Sequence, residues 1–101
     1  MNSNSSSVDD FVRWLGQPYC RGDRYAIFRA DCIDAMKSLP DSVIDLTLTS
    51  PPYNIGKEYE TPLPLEDYIA WCRLWMCEVY RLTRAQGAFW LNLGYVSKNV
   101  F

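Results

Sequence analysis

The sequence predicts an α/β fold of about three parallel strands with intervening helices. Three observations point to it. Between Arg24 and Leu48 a strand-like run, a helix-like run and a second strand-like run follow one another within about 25 residues, the pattern of a βαβ unit whose strands are parallel. From Leu65 to Thr83 apolar residues recur at three- and four-residue steps, and a second apolar run, Ala88 to Leu93, follows. The apolar run Val43 to Leu48 closes on Thr49-Ser50-Pro51-Pro52-Tyr53-Asn54. Two prolines there end the strand, since neither donates a ladder hydrogen bond and each fixes its own φ.

The elements follow in order. Met1 to Ser7 is polar and reads as a disordered lead-in, with Ser7 able to cap what comes next. Val8, Phe11, Val12 and Leu15 have helical spacing, and Gly16 supplies a stop. Gln17 to Asp23 reads as a loop, and its Arg21-Gly22-Asp23 tripeptide as a plain turn. Arg24 to Ala30 reads as a strand with imperfect alternation. Asp31 caps a helix over Cys32–Leu39 that turns Ile33, Met36 and Leu39 inward. Pro40-Asp41-Ser42 leads into the strand at Val43. Ile55 to Pro64 is a Pro-, Gly- and charge-rich loop. The helix of Leu65, Tyr68, Ile69, Cys72, Trp75, Met76 and Val79 then packs an aromatic stripe on the sheet, and Gly87 punctuates before a buried strand from Ala88.

Composition narrows the function. The chain has 101 residues, 49 % hydrophobic and 15 % aromatic, which makes it one domain or part of one, with material for a core. Ten basic against twelve acidic residues give a net charge of −2, which disfavours this stretch as the main grip on nucleic acid. No apolar run approaches the roughly 20 residues of a membrane span. No signal peptide is visible either. The four cysteines, Cys20, Cys32, Cys72 and Cys77, form no C-x-x-C pair, and histidine is absent. That spacing argues against a metal site and a disulfide framework, and reads as mostly buried, reduced thiols of a cytoplasmic protein. Hydrolytic triads built on histidine are excluded as well.

The elbow at Ser50-Pro51-Pro52-Tyr53 resembles the amino-methyltransferases of DNA, whose hallmark is a strand ending in Ser/Asp/Asn-Pro-Pro-Tyr/Phe. The resemblance runs from about Tyr25 to Gly94. It implies a partial Rossmann-like, S-adenosylmethionine-dependent methyltransferase fold. The order of motifs looks like that of a permuted class in which the catalytic half precedes the cofactor half. Residues 8–101 would be that catalytic half, ending before the target-recognition region and the Phe-x-Gly-x-Gly cofactor loop. On this reading the 101-residue chain alone transfers no methyl group.

The resemblance implies roles for named residues. The amine of a nucleobase is a poor nucleophile, because its lone pair is delocalised into the ring. The Ser50 hydroxyl and the Pro51 carbonyl are acceptors that can localise it, and Pro51-Pro52 fixes them before reaction. Tyr53 offers a face on which a flipped base stacks. Asp31, with Cys32 after it, sits past the preceding strand and would reach the cofactor from the same sheet edge; a simple helix cap is the competing reading, and both can hold. Asn54 and Lys57 would contact DNA or close the pocket, against a solvated loop. No Pro-Cys nucleophile of the ring-carbon methyltransferases is present. Within the family a leading serine is commoner in enzymes of the cytosine amine, so Ser50 favours cytosine-N4 over adenine. The partner implied is double-stranded DNA with a flipped base, in a restriction–modification setting. A remnant or subunit completed by a partner chain with the cofactor half is the alternative of another class.

Overall fold

The computed structural model describes residues 5–52, 54 and 63–93. Helix α1 spans Val8–Leu15, strand β1 Cys20–Arg21, β2 Ala26–Ile27, α2 Cys32–Lys37, β3 Ile44–Thr49, α3 Leu65–Leu82 and β4 Thr83–Leu91. Met1 to Asn4, the bulk of the expected lead-in, lie outside the described residues, as does the stretch from Gly94. Ser7 caps α1 through a reciprocal box with Asp10, each side chain accepting from the other's backbone N–H. Gly16 ends the helix with its N–H on the Val12 carbonyl, at a φ of 91° that favours glycine.

The frame of the molecule is β3, α3 and β4. The two strands pair in parallel and α3 is the crossover between them, a βαβ unit. One face of this sheet packs on α3, where Trp75 meets Phe89 edge-on with ring centroids 6.1 Å apart. Trp75, Val79 and Leu82 of α3 are buried, together with Leu39. The indole nitrogen of Trp75 is buried without a hydrogen-bond partner. At the same end of α3, Arg81 ties that helix to α2 and to the turn that follows it. Its guanidinium donates to the Met36 and Leu39 carbonyls and to Asp41, each at 2.8 Å, and pairs with Glu78. Glu78 first and Asp41 second hold the guanidinium even more firmly protonated than usual.

The register of β3 on β4 is interrupted. A step of two residues from Ile44 to Leu46 faces a step of five from Thr83 to Ala88, so β4 carries three extra residues in a bulge. Gly87 lies in the bulge, and a Cβ there would stand 2.8 Å from the Asp45 carbonyl. After it the ladder runs evenly to Thr49 opposite Leu91.

Several expectations are corrected. The strand expected over Arg24–Ala30 shrinks to Ala26–Ile27 and pairs antiparallel with Cys20–Arg21, not in parallel with β3. Its edge is taken by a hairpin that turns through Gly22 to Tyr25, closed by the Gly22 N–H on the Tyr25 carbonyl. The three-strand parallel arrangement is therefore a parallel pair plus a separate hairpin among the described residues. β3 and β4 are not buried strands. Leu46, Leu48 and Trp90 are 53 %, 69 % and 64 % exposed, because α3 covers only one sheet face, whereas parallel sheets are ordinarily covered on both. The cysteines are not mostly buried either: Cys20, Cys32 and Cys77 are exposed and Cys72 is half-buried. The long helix buries a narrower stripe than its sequence suggests, leaving Leu65 and Ile69 exposed.

Candidate functional site

The candidate site lies where β3 and β4 end side by side. Thr49 is the last rung of β3, and the chain then enters Ser50, Pro51 and Pro52. Pro51 is buried, while Ser50 and Pro52 are exposed. The elbow is thus rooted in the protein at its middle and open to solvent on both sides. The carboxyl edge of a parallel sheet, beside a crossover helix, is where α/β folds place their ligands.

Two contacts from distant parts of the chain hold the elbow. The Tyr68 hydroxyl, in the first turns of α3, donates to the Pro52 carbonyl at 2.6 Å. Tyr68 heads an aromatic series through Trp71 and Trp75 to Phe89, so the elbow is tied through rings to the sheet. Just past β4, the Asn92 backbone N–H donates to the Thr49 carbonyl at 3.0 Å, and its side-chain Nδ2 donates to Ser50 Oγ at 3.2 Å. The carbonyl that Tyr68 takes is that of Pro52, one residue beyond the Pro51 carbonyl marked as an acceptor from sequence.

Asn54 has a φ of 60°, in the left-handed region that asparagine tolerates better than most residues. Its amide grips the backbone of Leu63 from both ends, donating to the carbonyl at 2.9 Å and accepting from the N–H at 2.6 Å. A side chain bonded in this way ties position 54 to the backbone that leads into α3. Tyr53 and Lys57 lie outside the described residues.

Asp31 is the N-cap of α2, its Oδ1 accepting from the N–H groups of Ile33 at 3.0 Å and Asp34 at 3.1 Å. This is the capping role read from the sequence. The carboxylate is exposed, as is Cys32 beside it, and retains lone pairs beyond the two bonds of the cap. The sheet-edge argument that joined Asp31 to the elbow required β2 and β3 to be parallel partners. They are not, so strand pairing does not bring Asp31 and Ser50 together.

Asn92 and Tyr68 are the site residues that the sequence reading passed over. Tyr68 was assigned to the packing stripe. Asn92 had one visible signal, a lone amide between Leu91 and Leu93 at the end of an apolar strand. Among the described residues, no group of three or more His, Cys, Asp or Glu is placed to hold a metal ion, and no helix is long and apolar enough to cross a membrane.

A family described as DNA methylase matches residues 44–101, which includes the elbow, α3 and β4. The chain is 52 % identical over 87 residues to the Type II methyltransferase M.ScaI of Streptomyces caespitosus, a match covering 86 % of this chain and 29 % of that protein. It is 36 % identical to the Type II methyltransferase M.HpaI of Haemophilus parainfluenzae, over 67 % of this chain and 23 % of that protein. The Type II methyltransferase M.BglII of Bacillus subtilis is 32 % identical, over 67 % of this chain and 19 % of that protein. The chain thus spans less than a third of each of these three relatives. No solved structure matches.

Proposed function

The chain belongs to the DNA methylase family, and from that premise we propose that residues 8–101 form the catalytic half of a DNA methyltransferase with a Rossmann-like fold. The reaction is methyl transfer from S-adenosylmethionine to the exocyclic amine of cytosine in double-stranded DNA. The observation that carries this reading is the Ser50 hydroxyl, exposed at the carboxyl edge of a parallel strand pair and held between a Pro-Pro elbow and Asn92.

The chemistry asks little of the protein beyond placement. S-adenosylmethionine, when bound, supplies an electrophilic methyl carbon on a sulfonium. Ser50 and the Pro51 carbonyl accept hydrogen bonds from the target amine and draw its lone pair out of conjugation. Because both acceptors are fixed before the base arrives, no reorganisation is required as positive charge develops on nitrogen. Tyr53 stacks on the flipped base, which is unreachable within the duplex. Lys57 meets the DNA backbone, and Asn54 keeps the exit from the elbow closed. Asp31 fits a role toward the cofactor: its cap engages one carboxylate oxygen, and an exposed carboxylate with remaining lone pairs can accept from a hydroxyl or an adenine amine. Cys32 would line the same place. No covalent enzyme intermediate enters the scheme. Relatives named as Type II methyltransferases support a restriction–modification role in the cytoplasm.

The test is to incubate the whole protein with duplex DNA and methyl-labelled S-adenosylmethionine, then resolve the nucleosides by mass spectrometry. Labelled N4-methylcytosine is expected, with a rate at least about a hundredfold lower for Ser50→Ala, as for loss of one preorganised polar group in other enzymes. N6-methyladenine would overturn the choice of base. Absence of any labelled nucleoside would overturn the activity.

A further inference from the structure

We propose that Asn92 is a positioning residue that orients the Ser50 hydroxyl toward the substrate amine. The inference rests on the reading of Ser50 as an acceptor and adds the residue that aims it. Asn92 is the first residue past β4, and its own N–H continues the ladder onto the Thr49 carbonyl. That bond belongs to the backbone, so position 92 stands beside Ser50 whichever side chain it carries.

The side chain adds something different. A serine hydroxyl has one proton and two lone pairs, and it rotates unless a partner holds it. The buried Pro51 fixes the backbone that follows Ser50 but leaves Oγ free to choose among rotamers. The bond from Asn92 Nδ2 to Oγ selects one of them and occupies one lone pair. The other lone pair remains for the incoming N–H. Both residues are exposed, so the pair lies at the surface of the sheet edge. Asn92 therefore acts on the direction of Oγ, a property that matters during methyl transfer and little during DNA binding. The neighbouring strand thus completes the acceptor that the elbow begins.

Single-turnover methyl transfer by the whole protein tests this, using Asn92→Ala, Asn92→Leu, Ser50→Ala and the Ser50→Ala/Asn92→Ala double variant. Leucine has the same branched side-chain skeleton as asparagine but no donor, so it separates the lost bond from lost volume. Each single change at residue 92 should slow transfer about tenfold to a hundredfold, the cost of a misdirected reacting group, with KM for DNA within about twofold. In the Ser50→Ala background the Asn92→Ala change should have no further effect. If Asn92→Leu transfers at the wild-type rate, the proposal is overturned. It is overturned too if Asn92→Ala costs the same factor whether or not Ser50 is present. A wild-type rate for Ser50→Ala would instead overturn the reading of Ser50 itself, and the role of Asn92 with it.

Discussion

Trp75 gives the sharpest test of how the site is supported. It is 4 % exposed, lies at the centre of the face that α3 turns to the sheet, and meets Phe89 and Trp71 edge-on at 6.1 Å. Truncating such a residue to alanine removes its burial and leaves a cavity, at a cost of about 3–5 kcal/mol. A domain of this size has only about 5–15 kcal/mol in all. Trp75→Phe is the informative change, because the indole N–H is buried without a partner. Phenylalanine keeps most of the ring and removes the N–H. The smaller ring leaves roughly 40 Å³ empty, worth about 1 kcal/mol. Relief of an unpaired buried donor returns about 1–3 kcal/mol. The two terms nearly cancel, so Trp75→Phe should lie within ~1 kcal/mol of the wild type or be slightly more stable. Urea unfolding followed by far-ultraviolet circular dichroism measures both variants. At an m-value of about 2 kcal/mol per molar, the alanine variant should lose roughly 2 M in its midpoint and the phenylalanine variant almost nothing. A phenylalanine variant as damaged as the alanine one would refute the argument, because the N–H would then have to be making a bond.

Two further predictions concern the elbow and the N-terminal helix. Tyr68→Phe deletes the bond to the Pro52 carbonyl while keeping the ring, and should lower the methyl-transfer rate up to about tenfold for a stability loss of ~1 kcal/mol; an unchanged rate would mean that the elbow holds its shape without α3. Asp10 is held below the ordinary carboxylate value of 3.8, by the Ser7 backbone N–H first and by Arg13 next. A group so depressed contributes stability above its unfolded value and loses it as the pH falls through the folded one. Asp10→Asn should therefore lower the thermal midpoint in the neutral range and flatten its decline below about pH 4, the two proteins converging in acid; an identical acid limb in the two proteins would remove Asp10 from the account.

What could be read from the sequence was what is local and continuous. Helix α3 announced itself through seven apolar positions at helical steps, and it forms within a residue of the range read. The elbow was legible because two adjacent prolines act on their own backbone wherever they stand. The caps of Ser7 and Asp31 were legible for the same reason, since a cap bonds within three residues. Strand β1 was not: two residues, Cys20 and Arg21, carry no alternation, and only the hairpin makes them a strand. The partner of β2 was misassigned for the same reason, since a short strand pairs with whatever edge is nearest. Asn92 was hidden more deeply. Its meaning depends on which residue at the end of β4 or just past it comes to rest beside Ser50, and no local pattern reports a register set across forty-odd positions of chain.

That register has a mechanical origin in the bulge after Thr83. The three extra residues act as a gauge that sets how far β4 has travelled when it reaches the end of β3. With the gauge at its present length, Asn92 halts beside Ser50, Phe89 points at Trp75, and Trp90 points away. One residue fewer between Arg84 and Gly87, with the bulge kept at its size, would leave the amide one position short of its serine and exchange the two faces of the strand, because strand side chains alternate. Gly87 keeps the gauge from lengthening, since any side chain there would press on the Asp45 carbonyl and prise the strands apart. The dimension of the edge that carries the elbow is thus set at the opposite end of the sheet, several rungs of the ladder away from it.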